Sequence, residues 1–245
     1  METGDKTALI DGELSLTFGE WHRASEHLAG RLQNAGVEKE TLVGVQVDRT
    51  CALPVAFTAI SRIGGRFLGL NPGWLSEDRE RVFNRWRKRV VICWEGMDSA
   101  DWKANTLLPF SRNDLISPAL SVTGAPTVDI FDDFYMNVTS GSTGLPKVAV
   151  STHRELMVNT AAVCETLGLA SEDVLMSLFG VIGHPHEIFM RGLYLGATTV
   201  LEPSVFPRQH LAQIKDHSVS FLMGLPPQLD ALSRLARRED ADISS

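Results

Sequence analysis

Short apolar runs alternate with helix-length amphipathic stretches along this chain, and that alternation restricts its fold more than any other feature. Leu42–Val47, Phe67–Leu70, Val90–Cys93, Val174–Leu178, Thr198–Leu201 and Val219–Met223 read as strands. Helical stretches separate them. Thr17 is placed to cap a helix over 18–35, in which Trp21, Ala24, Leu28, Leu32 and Ala35 recur at helical spacing until Gly36. Thr50 is expected to cap a second helix running to Gly64-Gly65, with Pro54 tolerated near its start. Ser76 opens a third, acidic at Glu77, Asp78 and Glu80 and basic at Arg85, Arg87, Lys88 and Arg89, a polarity that suits the helix dipole. Further helices are expected over 153–167, from Gly183–Glu187 to Gly196, over 207–216 and over 226–238. Such alternation implies an α/β fold of layered, parallel-rich sheets flanked by helices. Residues 94–133, with Pro109, Pro118 and Pro126 and no sustained period, are expected to be irregular and to carry little chemistry.

The chemistry is concentrated in Tyr135-Met-Asn-Val-Thr-Ser-Gly-Ser-Thr-Gly-Leu-Pro-Lys147. Gly141 and Gly144 permit a close backbone approach and positive φ, so that successive N–H groups can share one concavity. The hydroxyls of Thr139, Ser140, Ser142 and Thr143 add donors, and Lys147 adds a charge on a long stem. A polyphosphate fits that set. The P-loop of nucleotide hydrolases does not, because Pro146 precedes the lysine where Gly is required and Val148 follows it where a hydroxyl is required. A flexible linker is the alternative on composition alone. Strand-like runs on both sides and the closing lysine favour the cradle.

Composition excludes several classes. With 44% hydrophobic residues over 245 positions the chain can bury a substantial core. A net charge of −7 argues against a general binder of nucleic acid or of anionic membranes. Cys51, Cys93 and Cys164 are far apart and form no C-x-x-C pair, so neither a disulfide framework nor a cysteine-rich zinc site is indicated. The first residues lack the pattern of a signal peptide, and no apolar run approaches membrane-span length. A soluble, cytoplasmic protein is expected. His184, His186 and Glu187 are metal-ligand types, but Pro185 separates the imidazoles and no distant third ligand is evident, so a helix start facing a cleft is expected instead of a metal site.

Thr139-Ser-Gly-Ser-Thr-Gly-x-Pro-Lys147, followed six residues later by His153, resembles the phosphate-binding signature of the adenylate-forming superfamily. That group includes acyl- and aryl-CoA synthetases, luciferases and peptide-synthetase adenylation domains. Leu16-Thr-Phe-Gly-Glu-Trp21, Gly64-Gly-Arg-Phe-Leu-Gly-Leu-Asn-Pro72, Glu187-Ile-Phe189 through Gly196-Ala197, and Val219 through Pro227 are similar to further family segments, so the likeness covers nearly the whole chain. It implies ATP as nucleotide, with Mg2+ entering through the ATP phosphates. A small-molecule carboxylic acid would be the substrate and the thiol of CoA or of a carrier protein the acceptor. Thr139, Ser140, Gly141, Ser142, Thr143 and Gly144 would form the cradle, with Lys147 the charge on the leaving pyrophosphate. Phe179 and His184 would lie near the acyl group, on a substrate side spanning about 175–227, and His153 would be either a plain helix-start residue or a donor facing the loop.

Two departures stand out. The family usually carries Gly after the lysine; Val148 is β-branched and disfavours positive φ, so the strand beyond the loop is expected to leave at a different angle. The family's later motifs, Tyr-Gly-x-Thr-Glu, the ribose-binding Asp, the hinge and the C-terminal catalytic Lys, have no counterpart here. Residues 1–245 are therefore expected to be an incomplete large N-terminal AMP-binding domain without its C-terminal domain, unable to complete adenylation alone. The rival reading is a catalytically incomplete nucleotide-binding or interaction protein that pairs with a second copy or a complementing chain.

Overall fold

The computed structural model describes residues 3–239 apart from 13, 72, 75, 85–88, 98–101, 103, 105, 121–123, 125, 141–145, 182 and 183. A strand β1 (Thr7–Asp11) and a strand β2 (Leu14–Thr17) lead into helix α1 (Phe18–Asn34). Then come β3 (Leu42–Gln46), α2 (Ala52–Arg62), β4 (Arg66–Gly69), α3 (Ser76–Phe83), β5 (Arg89–Trp94), β6 (Thr106–Phe110) and α4 (Arg112–Ile116). β7 (Asp133–Ser140) and β8 (Pro146–Thr152) run into α5 (His153–Leu167). β9 (Val174–Ser177), α6 (His186–Leu195), β10 (Thr198–Leu201), α7 (Pro207–Asp216), β11 (Phe221–Met223) and α8 (Pro226–Arg238) complete the order.

The strands form two sheets, as the alternating pattern implied. Sheet A is ordered β11-β9-β10-β1-β2 and sheet B β6-β5-β3-β4-β7-β8. Only β1–β2 and β7–β8 pair antiparallel; every other described pair is parallel. The chain begins in sheet A, builds sheet B and returns to sheet A. The β3 sequence Leu-Val-Gly-Val-Gln is buried at all five positions because the strand lies between β4 and β5 with both faces covered. One face joins a large core that takes Leu9 and Leu201 from sheet A, Val43 and Phe67 from sheet B, and the apolar faces of α1, α2 and α6. Phe57 sits at its centre, with ring centroids 4.7 Å from Phe134, 5.0 Å from Phe67 and 5.1 Å from Phe189. The opposite face of sheet A is covered by α7 and α8 through Met176, Leu178, Leu211, Ile214 and Leu232.

Local signals account for the helix starts in part. Thr17 Oγ1 accepts the Glu20 N–H at 3.2 Å while the Glu20 carboxylate accepts the Thr17 N–H at 2.8 Å, a capping box. Thr50 does not cap α2. Its hydroxyl is buried without a hydrogen-bond partner among the described residues, and the Cys51 N–H donates instead to Asp11 Oδ2 at 3.0 Å, a carboxylate from the end of β1. A cap from another strand leaves no mark at the helix itself. Residues 94–133 are also more regular than expected, since they contain β6 and α4. Among the described strands β6 is at the edge of sheet B, bonded to β5 alone, which is where a proline inside a strand is tolerated, so Pro109 does not break it. The expected basic end of α3 falls at 85–88, outside the described residues; Arg89 opens β5.

Candidate functional site

The residues expected to cradle phosphate fall where β7 ends and β8 begins, in sequence between two antiparallel strands. Gly141, Ser142, Thr143 and Gly144 are outside the described residues, while Thr139 and Ser140 end β7. Thr139 stands opposite Lys147 in the ladder, and Val138 opposite Val148. Val148 is thus an ordinary strand residue that packs against the second core cluster; it does not bend the strand away. Because side chains alternate along a strand, Lys147 shares its face of β8 with Ala149 and Ser151.

That face forms one wall of a cleft of about 370 Å³. Tyr135 and Asn137 of β7 continue the wall, again two residues apart; Glu155 and Asn159, one helical turn apart on α5, and His184, His186 and Glu187 at the start of α6 complete it. α5 is held at its start by a second capping box, with Thr152 Oγ1 accepting the Glu155 N–H at 3.2 Å and the Glu155 carboxylate accepting the Thr152 N–H at 2.8 Å. β8, its cap and α5 therefore follow one another without a break.

The cleft carries two carboxylates, and both are engaged by the protein. Glu155 is taken by the cap just described. Glu187 is bonded by the Arg191 guanidinium one turn along and lies 3.4 Å from His186 Nε2. The His186 hydrogen bond, with Arg191 assisting, overcomes the cost of burial and pushes the Glu187 carboxyl down to about 2. Arg191 is itself buried, with Nη1 on the Glu187 carbonyl at 3.1 Å and against Met223 Sδ at 2.9 Å. Burial, aided by the Glu187 charge, raises the Tyr135 phenol well above its ordinary value, so it stays protonated. The His186 ring meets Tyr135 edge-on at 4.8 Å between centroids, and its Nδ1 is buried with no hydrogen-bond partner among the described residues. An unpaired buried group of that kind costs about 1–3 kcal/mol until a ligand or water supplies a partner.

Of the residues expected near a substrate, His184 is exposed at the cleft and Phe179 is not among its lining; Phe179 packs against the large core. His153 stacks on Phe134 with centroids 4.3 Å apart and rings 8° from parallel, and burial lowers its pKa. Among the described residues no group of three His, Cys, Asp or Glu could hold a metal ion, and no helix is long and apolar enough to cross a membrane. Tyr135 and Asn137 lie in the stretch that the sequence singles out but were given no role there, and Glu155, Asn159 and Arg191 were missed. The spacing of two on each strand and of four on α5 was there to be read, but only the antiparallel pairing shows that these faces meet.

A family described as "AMP-binding enzyme" matches residues 1–245. The chain therefore belongs to that family, the ATP-using adenylate-forming enzymes. It is 27% identical over 252 residues to malpinin synthetase of Mortierella alpina, covering 99% of this chain and 3% of that protein. It is 28% identical over 218 residues to the 4-hydroxybenzoate–CoA/benzoate–CoA ligase of Rhodopseudomonas palustris, covering 82% of this chain and 40% of that one. Among solved structures, the anthranilate CoA ligase AuaEII in complex with anthranoyl-AMP superposes with a TM-score of 0.87 at 21% identity, over 98% of this chain and 50% of that one. The chain thus spans at most about half the length of these relatives.

Proposed function

We propose that this chain supplies the phosphate-holding and acid-holding part of an ATP-dependent carboxylate-activating ligase. In the reaction, a substrate carboxylate oxygen attacks the α-phosphorus of ATP. The bond from that phosphorus to the bridging oxygen breaks, and pyrophosphate leaves with the electron pair. A thiol, of CoA or of a carrier protein, then attacks the acyl carbon and displaces AMP. Residues 139–147 would hold the β- and γ-phosphates, with Lys147 opposing the charge that builds on the leaving pyrophosphate. Magnesium would enter with the ATP, held by its phosphate oxygens.

The observation that carries the reading is the hairpin: the Gly/Ser/Thr connection ends in Lys147, on the face of β8 whose next two same-side residues line the cleft. An acid in that cleft would have its carboxylate within the reach of a nucleotide held at the hairpin tip. The cleft also suits an anion better than its composition suggests, because Glu155 and Glu187 are already paired. Positioning two anions against each other is the main task, and it rests on fixed donors and excluded water more than on any acid–base residue. Titration calorimetry with ATP and Mg2+ should show binding that Lys147→Ala weakens about tenfold or more, the worth of one charged hydrogen bond. Carboxylate-dependent pyrophosphate exchange, measured on the longest product of the gene, should fall in parallel. Absence of exchange with every acid in a broad aryl, fatty and amino panel would sink the reading.

A further inference from the structure

A second crevice, of about 420 Å³, opens where sheet A reverses its winding. From β9 the chain passes through α6 to β10 on one side; from β10 it passes through α7 to β11 on the other side of β9. α6 packs into the core between the sheets, whereas α7 and α8 pack on the opposite face. Segments leaving the carboxyl ends of adjacent parallel strands therefore diverge, and in open α/β sheets the gap between them is the favoured ligand position. Leu178 and Gly180 follow β9 into this gap, Pro203 follows β10, and Pro207 and Gln228 begin the two covering helices.

One wall carries a buried cation. Arg49, from the connection between β3 and α2, lines the crevice and is 6% exposed. Among the described residues its guanidinium makes one hydrogen bond, Nη2 to the Ser204 carbonyl at 2.6 Å, and it forms no ion pair. His210, 4% exposed, also lines the crevice and places Nε2 2.8 Å from the same carbonyl. The charges of Asp48 and Glu202 act on the guanidinium from nearby, but neither carboxylate forms an ion pair with it among the described residues, and the Asp48 carboxylate accepts from the Arg49 backbone N–H instead, at 3.0 Å. The bond to Ser204 ties a loop of sheet B to a loop of sheet A, and that strap uses one of the five donors of the fork. A desolvated guanidinium with donors to spare is matched best by a carboxylate, which accepts two parallel N–H bonds at once.

We propose that this crevice is a second ligand site, for a small monocarboxylate with an apolar body. The carboxylate pairs with Arg49, and the body lies among Leu178, Val181, Pro203 and Pro207. The site is separate from the hairpin cleft, with which it shares no lining residue.

Benzoate is the probe, benzyl alcohol its uncharged counterpart, and the protein is the 245-residue chain. Benzoate should bind saturably, raise the melting temperature and shift the His210 imidazole resonances, while benzyl alcohol binds at least about tenfold more weakly. Arg49→Lys should cost about tenfold in benzoate affinity, since a single ammonium cannot replace the fork. Ala231→Trp, at the exposed rim on α8, should block benzoate by covering the mouth without disturbing the strap; circular dichroism checks that both variants fold. ATP titration of Ala231→Trp reads the hairpin independently and should be unchanged, so a failure here and a failure of the ligase reading are distinguishable. The proposal falls if benzoate does not bind saturably, if benzyl alcohol binds as well, or if binding survives Ala231→Trp and perturbs His184 instead of His210.

Discussion

Glu187 governs how the cleft responds to acid. Its folded pKa, about 2, lies below the ordinary value of 4.5, so its contribution to stability is fully present above pH 4.5 and is lost as pH falls through the interval down to about 2. A depression of that size corresponds to about 3 kcal/mol. Glu187→Gln should accordingly be less stable than the parent by about 3 kcal/mol at pH 7, and part of that cost comes from leaving Arg191 buried without its anion. In urea titrations run from pH 7 downward, the gap between the two proteins should close as pH approaches 2. Parallel stability curves across that range would show that the carboxylate is not held as the geometry indicates. The same residue shows what a single sequence hides. Glu187 and Arg191 are visible as an i, i+4 pair, yet their burial beside Tyr135 depends on α6 meeting β7, which no local pattern encodes.

α6 and β10 approach each other unusually closely, and one glycine allows it. A Cβ on Gly192 would collide with Thr199 Oγ1 and would lie 3.1 Å from the Ala197 carbonyl. Alanine is the better helix former by about 1 kcal/mol, so propensity alone predicts a gain from Gly192→Ala. Contact reverses the sign: the substitution should cost about 1–3 kcal/mol by thermal or chemical denaturation, and adding Thr199→Ala should recover part of it. A stabilised single variant would mean that the two elements have room to spare. Elements whose signals are local were legible in advance. α1 has its Thr17–Glu20 box and an unbroken apolar stripe, and the apolar runs on either side of residues 139–147 announce β7 and β8. β6 was not, because Pro109 reads as a breaker until its strand is known to be an edge; nor was the start of α2, where Asp11 reaches in from forty residues away. The crevice at Arg49 was equally invisible, since it exists only through the crossing order of sheet A.

For the molecule as a whole, the shared core decides whether the two sheets melt together. Phe57 on α2 touches β4, β7 and α6 through its ring contacts, and the cluster it belongs to includes residues of both sheets. Phe57→Ala should cost about 3–5 kcal/mol. Far-ultraviolet circular dichroism and tryptophan fluorescence should both shift by the same amount, in one transition. Two separated transitions in the variant would show that sheet A holds its own stability. The order of the strands also has a temporal side. β1 pairs with β10, Leu9 opposite Thr199, whereas every strand of sheet B lies between residues 42 and 152. As the chain leaves the ribosome, sheet B can close on its own neighbours, but β1 must wait, its inner edge open, until β10 has also been synthesised. β1 is thus made before every strand of sheet B yet completes its pairing after them, and for that interval its open edge is exposed to wrong partners.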